Sequence, residues 1–357
     1  MPCRGFFIIF IFMRKDFQDL LNSISKEDTP QSQESKNDRI LVIDALNLFF
    51  RNFATINMVN QDGAHIGGLG GFLRSLGSLI RTIQPTGVYV IFDGIGSSTN
   101  RKNLMPEYKS NRGLTRITNW DTFDDLEDED DAKVSQITRV IQYLKCLPVK
   151  MGMIDKAEAD DMIAYLSKRL PEEYGSSVII VSSDKDYIQL VNPKVTLYRP
   201  VNKVFFDAEK VQDEFGIPVE NFIIYKTLLG DQSDQVAGVK GLGPKTLLKR
   251  FPELASQKVT MEDIFKWSEE RLTENKIYPR ILQKEMDLRN NYRLMDLGNP
   301  ILDDRQKEYI EGIISSEYNG FHPEHFLSLY ETDQLGHLIR NVEWWLKDVF
   351  EKLNSYK

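Results

Sequence analysis

The sequence predicts an α/β protein with a mainly parallel central sheet and flanking helices. Three apolar runs, at residues 39–43, 88–92 and 178–183, are typical of strands buried on both faces. Amphipathic helical patterns separate these runs up to about residue 206, and alternating strands and helices indicate a parallel sheet. A closing hairpin is predicted for residues 194–206. Beyond it the strand pattern gives way to helices interrupted by glycine and proline.

Three parts are therefore expected along the chain. Residues 1–37 are predicted to be a flexible extension, 38–206 the α/β core and 207–357 a helical C-terminal region. The connection 104–137 shows little periodicity, and connections of this length within a domain are usually functional or disordered. We expect a functional loop there.

Composition gives little indication of partners, because the charges are segregated. The formal net charge is −8, but residues 101–116 hold five basic residues and one acid, whereas 121–131 hold eight acids and no base. The two cysteines, Cys3 and Cys146, favour a reducing setting. The apolar stretch 6–13 is too short to cross a bilayer, and Met13 is an alternative start. A cytoplasmic protein, or one in the host cytoplasm if the source is viral, is expected, with no membrane association.

Acidic residues follow each of the three predicted strands. Asp44 and Asp93 end the first two, and Asp184 and Asp186 follow the third. Because ligands bind at the carboxyl ends of parallel strands, these side chains are expected at one mouth of the sheet. For Asp44 or Asp93 taken alone, a helix cap or a turn is the favoured explanation.

Two further acidic groups strengthen the metal hypothesis. Glu158-Ala159-Asp160-Asp161 begins a predicted helix, where the helix dipole explains one or two acids but not three, and Asp231 and Asp234 are three residues apart. Oxygen donors alone favour Mg²⁺ or Mn²⁺ over zinc, and two such ions suit phosphoryl-transfer hydrolysis. The candidate ligands are Asp44, Asp93, Glu158, Asp160, Asp161, Asp184, Asp186, Asp231 and Asp234, some of them acting through water.

Six motifs follow one another along residues 39–250. They are Asp44, Phe92-Asp93-Gly94, residues 106–112, Glu158-Ala159-Asp160-Asp161, Ser183-Asp184-Lys185-Asp186 and Gly230-Asp231-Gln232-Ser233-Asp234. In this order they resemble the motifs of the flap endonuclease and 5′-to-3′ exonuclease family, most like its bacteriophage ribonuclease H branch. The resemblance implies a PIN/5′-nuclease-like fold and hydrolysis of phosphodiesters near 5′ ends of DNA or RNA·DNA, with two Mg²⁺ or Mn²⁺ ions.

The resemblance also implies roles for individual residues. The acids up to Asp161 would surround the first ion, Asp184 and Asp186 would be shared or adjacent, and Asp231 and Asp234 would complete the second site. Residues 104–137 would form a helical arch. Catalytic residues would be Lys109 and Arg112, which contact the scissile phosphate, together with Asp93 and Asp184. Tyr108 would stack on a base or anchor the arch base. The acidic half of the arch is expected to face solvent or to be disordered.

Two segments are predicted to contact nucleic acid. The first is the basic stretch at the arch, and the second is a glycine-lysine turn that resembles the family's helix-hairpin-helix at about 225–250, where a K⁺ ion is also implied. Gln235 departs from the asparagine common in relatives. The predicted contacts are Arg101, Lys102, Tyr108, Lys109, Arg112, Arg116, Gly238, Lys240, Gly241, Gly243, Lys245, Thr246 and Lys249.

Two alternative functions remain at this point. One is an endoribonuclease of a related acid-centred fold that acts on single-stranded RNA, and the other is a non-catalytic DNA-junction binder. The glycine-lysine turn argues against the first and the complete acid set against the second. The apolar C-terminal segment 335–353 is expected to dock on the protein's own body. A replication partner, such as a single-strand-binding protein or clamp, is the alternative, and a monomer is expected.

Overall fold

The computed structural model describes residues 35–110, 117–119 and 121–356. The chain divides into two compact units, Met1–Ser35 and Lys36–Lys357. The predicted flexible extension lies almost wholly outside the described residues, as do Arg112 and Arg116. Among the described helices, none is long and apolar enough to cross a membrane.

A six-stranded sheet in the order β3-β2-β1-β4-β5-β6 forms the centre of the protein. Strands β1 to β5 are parallel, and β6 runs antiparallel to β5. The predicted parallel sheet and its closing hairpin are both present. The strands are β1 (Arg39–Asp44), β2 (Gly87–Asp93), β3 (Lys150–Ile154), β4 (Ser177–Val181), β5 (Val195–Arg199) and β6 (Val204–Phe206).

Helices cover both faces of this sheet and build the C-terminal region. Those that precede β6 are α1 (Ala45–Thr55), α2 (Gly67–Ile83), α3 (Thr99–Leu104), α4 (Leu126–Lys145) and α5 (Ala159–Tyr174). Those that follow are α6 (Ala208–Phe215), α7 (Phe222–Leu229), α8 (Pro244–Arg250), α9 (Met261–Glu270), α10 (Ile277–Gln283), α11 (Glu285–Met295), α12 (Asp304–Ser315), α13 (Pro323–Thr332), α14 (Val342–Leu346) and α15 (Lys352–Ser355).

The alternation of side chains along β1 explains why it is apolar throughout. Ile40 and Val42 belong to a core shared with α5, α7 and α12, whereas Leu41 and Ile43 belong to a core shared with α1, α2 and α4. Both faces are therefore covered, as expected for strands of a parallel sheet.

The C-terminal region is mainly helical, as predicted, with one small exception. A two-stranded ribbon, β7 (Gly230–Asp231) and β8 (Val236–Ala237), follows α7. The final helical segment starts at α14 and passes through a π-helical turn, Lys347–Glu351, into α15. It buries Trp345 and Phe350 in the core that contains α2, so the prediction that it docks on the protein's own body is confirmed.

The connection after α3 is ordered at both of its described ends. Lys109 has a positive φ of 53° and lies in a turn that follows α3. At the other end, α4 begins after the N-cap Asp125, whose side chain accepts from the Asp128 amide at 2.9 Å. Glu129 is fully buried and accepts from the Thr118 amide, which corrects the expectation that the whole acidic stretch faces solvent.

Gly77→Ala is expected to lower the free energy of unfolding by about 1–3 kcal/mol, because its Cβ would lie 2.5 Å from Nε1 of Trp345. Gly312→Ala in α12 is the matched control, since nothing lies within 4 Å of that position. Alanine there should raise the free energy of unfolding by about 0.5–1 kcal/mol. Urea unfolding followed by tryptophan fluorescence measures both, and equal effects would contradict the packing of Trp345 on α2.

Candidate metal centre

The acids predicted at strand ends lie at the point where the strand order of the sheet reverses. From β1 the chain continues to β2 and β3 on one side, then returns to β4 and β5 on the other. Asp44 and Asp93 are the last residues of β1 and β2, and Asp184 follows β4. Crevices at such switch points are the usual binding sites of open α/β sheets.

Hydrogen bonds through Tyr187 and Ser182 join acids from separate segments. The Tyr187 hydroxyl lies 2.6 Å from Asp160 Oδ1 and 3.3 Å from Asp44 Oδ2. Ser182 Oγ donates to Asp44 Oδ2 at 3.0 Å. Asp93 Oδ1 accepts the amide of Ala159, the first residue of α5, at 3.0 Å. The structure therefore brings Asp44, Asp93 and Asp160 to one place, as the sequence predicted.

Burial and mutual repulsion raise the pKa values of these acids. Burial, with the charge of Asp160, raises the pKa of Asp44 well above its usual range. Burial raises the pKa of Asp93 to about 6, with contributions from Asp160 and Glu158. Burial, Asp186 and Asp160 raise the pKa of Asp184 to about 7. A cation bound among them would relieve this repulsion.

Lys226 is a member of this centre that sequence reasoning missed. Its ammonium donates to Asp186 Oδ1 and, at 2.8 Å, to Asp231 Oδ2. Burial raises the pKa of Asp231, but the charge and hydrogen bond of Lys226 outweigh it and bring that pKa to about 2. A signal was present in the sequence, because Lys226 is the only charged residue of the apolar helix α7.

Arg101 corrects the predicted phosphate contacts. Its side chain is buried, and its guanidinium donates to Glu158 at 3.0 Å and to both oxygens of Asp161 at 2.6 and 3.0 Å. Asp161 also accepts the Ile301 amide at 2.9 Å. Arg101 therefore neutralises two predicted metal ligands, and its position contradicts a contact with nucleic acid at the surface.

Tyr108 and Lys109 bind the same glutamate. The hydroxyl of Tyr108, which is 3% exposed, donates to Glu158 Oε2 at 3.1 Å, so the anchoring interpretation fits its position better than base stacking. Lys109 Nζ lies 2.9 Å from Glu158 Oε1, and its amide donates to the carbonyl of Asp234 at 3.1 Å. Lys109, at the base of the predicted arch, thus contacts both Glu158 near α5 and Asp234 near β7.

The glycine-lysine turn lies between α7 and α8, at the position predicted for the helical hairpin. Lys240, Lys245 and Lys249 are exposed, and Gly241 has a positive φ of 86°, which suits glycine. Gln235 also has a positive φ, 60°, in a region that asparagine tolerates better than glutamine. Its side chain accepts a hydrogen bond from Ser110.

The donor set suits hard divalent cations, since it consists of carboxylate oxygens. Within 35–110, 117–119 and 121–356, however, no three acidic, histidine or cysteine side chains are close enough to hold one ion between them. Several carboxylate oxygens instead accept hydrogen bonds from protein side chains, namely from Lys109, Lys226 and the Tyr187 hydroxyl. Metal binding would therefore require some of these contacts to rearrange.

Comparison with known proteins identifies the family. A family model described as the 5′-3′ exonuclease N-terminal resolvase-like domain matches residues 39–216. A 5′-3′ exonuclease of Aquifex aeolicus is 30% identical over 259 residues, covering 72% of this chain and 81% of that protein. The chain belongs to the 5′-3′ exonuclease family. It is a metal-dependent 5′ nuclease, and the predicted family is confirmed.

Two further relatives are consistent with this membership. A 5′-3′ exonuclease of Bacillus subtilis is 30% identical, covering 61% of this chain and 71% of that protein. DNA polymerase I of Rhizobium leguminosarum is 32% identical, but the match covers only 21% of that larger protein. The nuclease thus resembles both separate exonucleases and one part of a polymerase.

Solved structures confirm the predicted fold class. Bacteriophage T5 flap endonuclease, solved with DNA and metal ions, superposes with a TM-score of 0.60 at 20% identity, covering 83% of this chain and 99% of that one. T5 5′-exonuclease with bound zinc gives a TM-score of 0.59 at 21% identity. At these identities the likeness concerns the fold of the nuclease.

Removing Asp184 should stabilise the metal-free protein at high pH. The folded-state pKa of Asp184 is about 7, whereas an unfolded aspartate ionises near about 3.9. Between these values the folded state binds more protons, so this group's contribution to the free energy of unfolding falls as pH rises. In EDTA, Asp184→Asn should melt above wild type at about pH 8 and equally at about pH 4. A difference that is constant with pH would contradict the raised pKa.

Removing Lys226 should make folding depend more strongly on divalent metal. In Lys226→Met two partly buried acids, Asp186 and Asp231, lose their counter-charge, so the free energy of unfolding in EDTA should fall by about 3 kcal/mol. Mg²⁺ should restore more stability to this variant than to wild type. Lys185→Met is the control, because Lys185 is exposed and lies 4.0 Å from Glu214 and 5.4 Å from the ring centroid of Phe215, away from the acids of the centre. Thermal melting with and without Mg²⁺ measures this, and an equal Mg²⁺ effect in all three proteins would show that Lys226 does not compete with metal.

Proposed function

We propose that this nuclease removes RNA primers or 5′ flaps by hydrolysing phosphodiesters of DNA and RNA·DNA near 5′ ends, with two divalent ions. The observation that carries the proposal is the convergence of Asp44, Asp93 and Asp160 where the strand order reverses. Mg²⁺ or Mn²⁺ bound there would activate water and stabilise the leaving oxygen. No side-chain nucleophile is required for that chemistry.

Two groups of acids would hold the ions. Asp44, Asp93 and Asp160 are the best placed for one ion, since they are linked through Tyr187 and the start of α5. Asp186 and Asp231 would serve the other, because they already share one cation, the Lys226 ammonium. Asp184, which is affected by the charges of both Asp186 and Asp160, would be shared between the ions. Glu158 and Asp161 would act mainly by holding Arg101, Tyr108 and Lys109 beside the centre.

Lys109 and Arg112 would bind the scissile phosphate. Lys109 already reaches the edge of the acid cluster through Glu158, and its ammonium is a compact charge that can transfer from a carboxylate to a phosphate oxygen. A phosphate that draws Lys109 away would leave Glu158 bound by Arg101 and Tyr108. Substrate entry would then change the charge balance around the first ion without leaving a buried acid unpaired.

The exposed lysines of the turn between α7 and α8 would hold the duplex part of the substrate. Lys240, Lys245 and Lys249 supply charge for phosphates, and such contacts position a duplex without reading its sequence. A K⁺ ion would bind at this turn. Further contacts to nucleic acid would come from Lys102, Arg116, Gly238, Gly243 and Thr246. The enzyme would be monomeric and cytoplasmic. The proposal also includes contact with replication proteins such as a single-strand-binding protein or clamp.

Asp184→Asn should reduce cleavage of a labelled 5′-flap substrate by at least about 100-fold while leaving its binding nearly unchanged, because the carboxylate serves the metal and not the phosphate. Asp62→Asn is the control, since Asp62 is exposed on the α1–α2 loop. Cleavage of 5′-flap, nicked and RNA·DNA substrates in Mg²⁺, Mn²⁺ or EDTA, with binding measured in EDTA, tests both parts.

The alternatives predict different results in the same assay. Activity confined to single-stranded RNA would favour the endoribonuclease. Binding without cleavage under every metal condition would favour the junction binder. Full activity of Asp184→Asn on flaps would overturn the assignment of the metal centre itself.

A further inference from the structure

Three buried polar atoms beside the metal centre have no hydrogen-bond partner among the described residues. They are Nε of Arg51, Oγ of Ser183 and Nε of Arg199. Most buried polar atoms in native proteins are partnered, because an unsatisfied donor costs free energy. Three such atoms close to one strand end indicate a ligand that completes them.

The three residues converge at the end of β4. Ser183 directly precedes Asp184, and its amide donates to Asn47 Oδ1 at 2.9 Å. Asn47 and Arg51 are one turn apart on α1 and therefore lie on the same face of that helix. Arg199, the last residue of β5, donates from Nη2 to the Ser183 carbonyl at 3.3 Å. Arg199 thus contacts Ser183 from β5, and Arg51 lies on the face of α1 whose Asn47 contacts the Ser183 amide.

A second contact places Arg51 near the end of β5. Tyr198 immediately precedes Arg199. Burial lowers the pKa of Arg51, and the nearby phenol of Tyr198 partly offsets this by raising that pKa. Tyr198 packs in the core that contains α1 and α2. Arg51 therefore lies near Tyr198, one residue before Arg199 at the end of β5.

Neither arginine forms an ion pair with an acid in the part of the chain that the structure describes. This contrasts with Arg101 and Arg169, which are bound to carboxylates. Arg199 is held instead by the Ser183 carbonyl and by the ring of Phe206, whose centroid lies 5.6 Å from its Cζ. Guanidinium groups that are not paired with a carboxylate match phosphate oxygens in geometry and charge.

We propose that Arg199, Arg51 and the hydroxyl of Ser183 form a subsite for a backbone phosphate of the substrate strand, next to the scissile phosphate. The proposal rests on the nucleic-acid substrate proposed above and adds a second contact point on the strand. Lys109 reaches the centre at Glu158, near the start of α5, whereas this subsite adjoins Asp184 at the ends of β4 and β5. A strand bound at both points would be fixed across the centre.

Charge-neutral methylphosphonate linkages, placed one at a time along a 5′-flap substrate, test the subsite. In wild type, one linkage other than the scissile one should lower kcat/KM roughly 10-fold through KM. Arg199→Gln should lower kcat/KM to the same extent on the unmodified substrate and show no further loss at that one linkage. Its log-log salt dependence of binding, measured in EDTA, should also flatten by about 0.7–0.9.

Three controls separate this result from general effects. Lys203→Gln removes the same charge from an exposed position in the β5–β6 turn and should keep the wild-type response to every linkage. Arg199→Lys keeps the charge but not the paired donors, so it should lie between wild type and Arg199→Gln. Ser183→Ala removes one unpartnered hydroxyl with little change in packing, and it should show a smaller loss at the same linkage.

The outcomes distinguish the subsite from the proposed function. If wild type cleaves flaps but Arg199→Gln and Ser183→Ala stay sensitive to every linkage, the subsite is wrong and the proposed function stands. A loss in Lys203→Gln equal to that in Arg199→Gln would likewise overturn it. If wild type cleaves no substrate with a 5′ end, the proposed function fails and the subsite fails with it.

Discussion

Repulsion among buried carboxylates is the constraint on which the rest of this structure depends. Asp44, Asp93 and Asp184 lie together because parallel strands end at one edge, and burial and mutual charge raise the pKa of each. Neighbouring hydrogen bonds and ion pairs offset part of that repulsion. Tyr187 bridges two acids with one hydroxyl, and Lys226 supplies a cation to two more. Divalent ions bound among the carboxylates would reduce their repulsion further.

The same constraint couples the arch base to the acids. Arg101, Tyr108 and Lys109 lie close in sequence, and all three bind Glu158. A buried charge left without its partner is costly, so the segment 101–109 is held where the acids are. Substrate contacts made by this segment would therefore change the charge around Glu158, beside the metal centre. In the proposed subsite, Arg51 and Arg199 have no such acid within residues 35–110, 117–119 and 121–356, and each keeps a buried Nε donor without a partner.

Local patterns were enough to predict the sheet and the acids at its edge. Continuous apolar runs indicate strands buried on both faces, and an acid that follows such a run must lie at the carboxyl end. The same local reasoning failed for Arg101, because charge in a basic stretch does not show whether the side chain is buried. It also missed Lys226, a single lysine in an apolar helix, and the turn at Lys109, whose φ is positive.

The sequence by itself determined the fold class, the family and the set of acids, because each of these depends on residue type and spacing along the chain. Only the tertiary structure decided which charge opposes which. Arg101 meets Asp161 across 60 residues, and Lys226 meets Asp186 across 40. Such pairs depend on how helices pack on the sheet, and no local pattern records that distance. The division between acids bound to cationic side chains and acids open to metal is therefore a property of the folded protein.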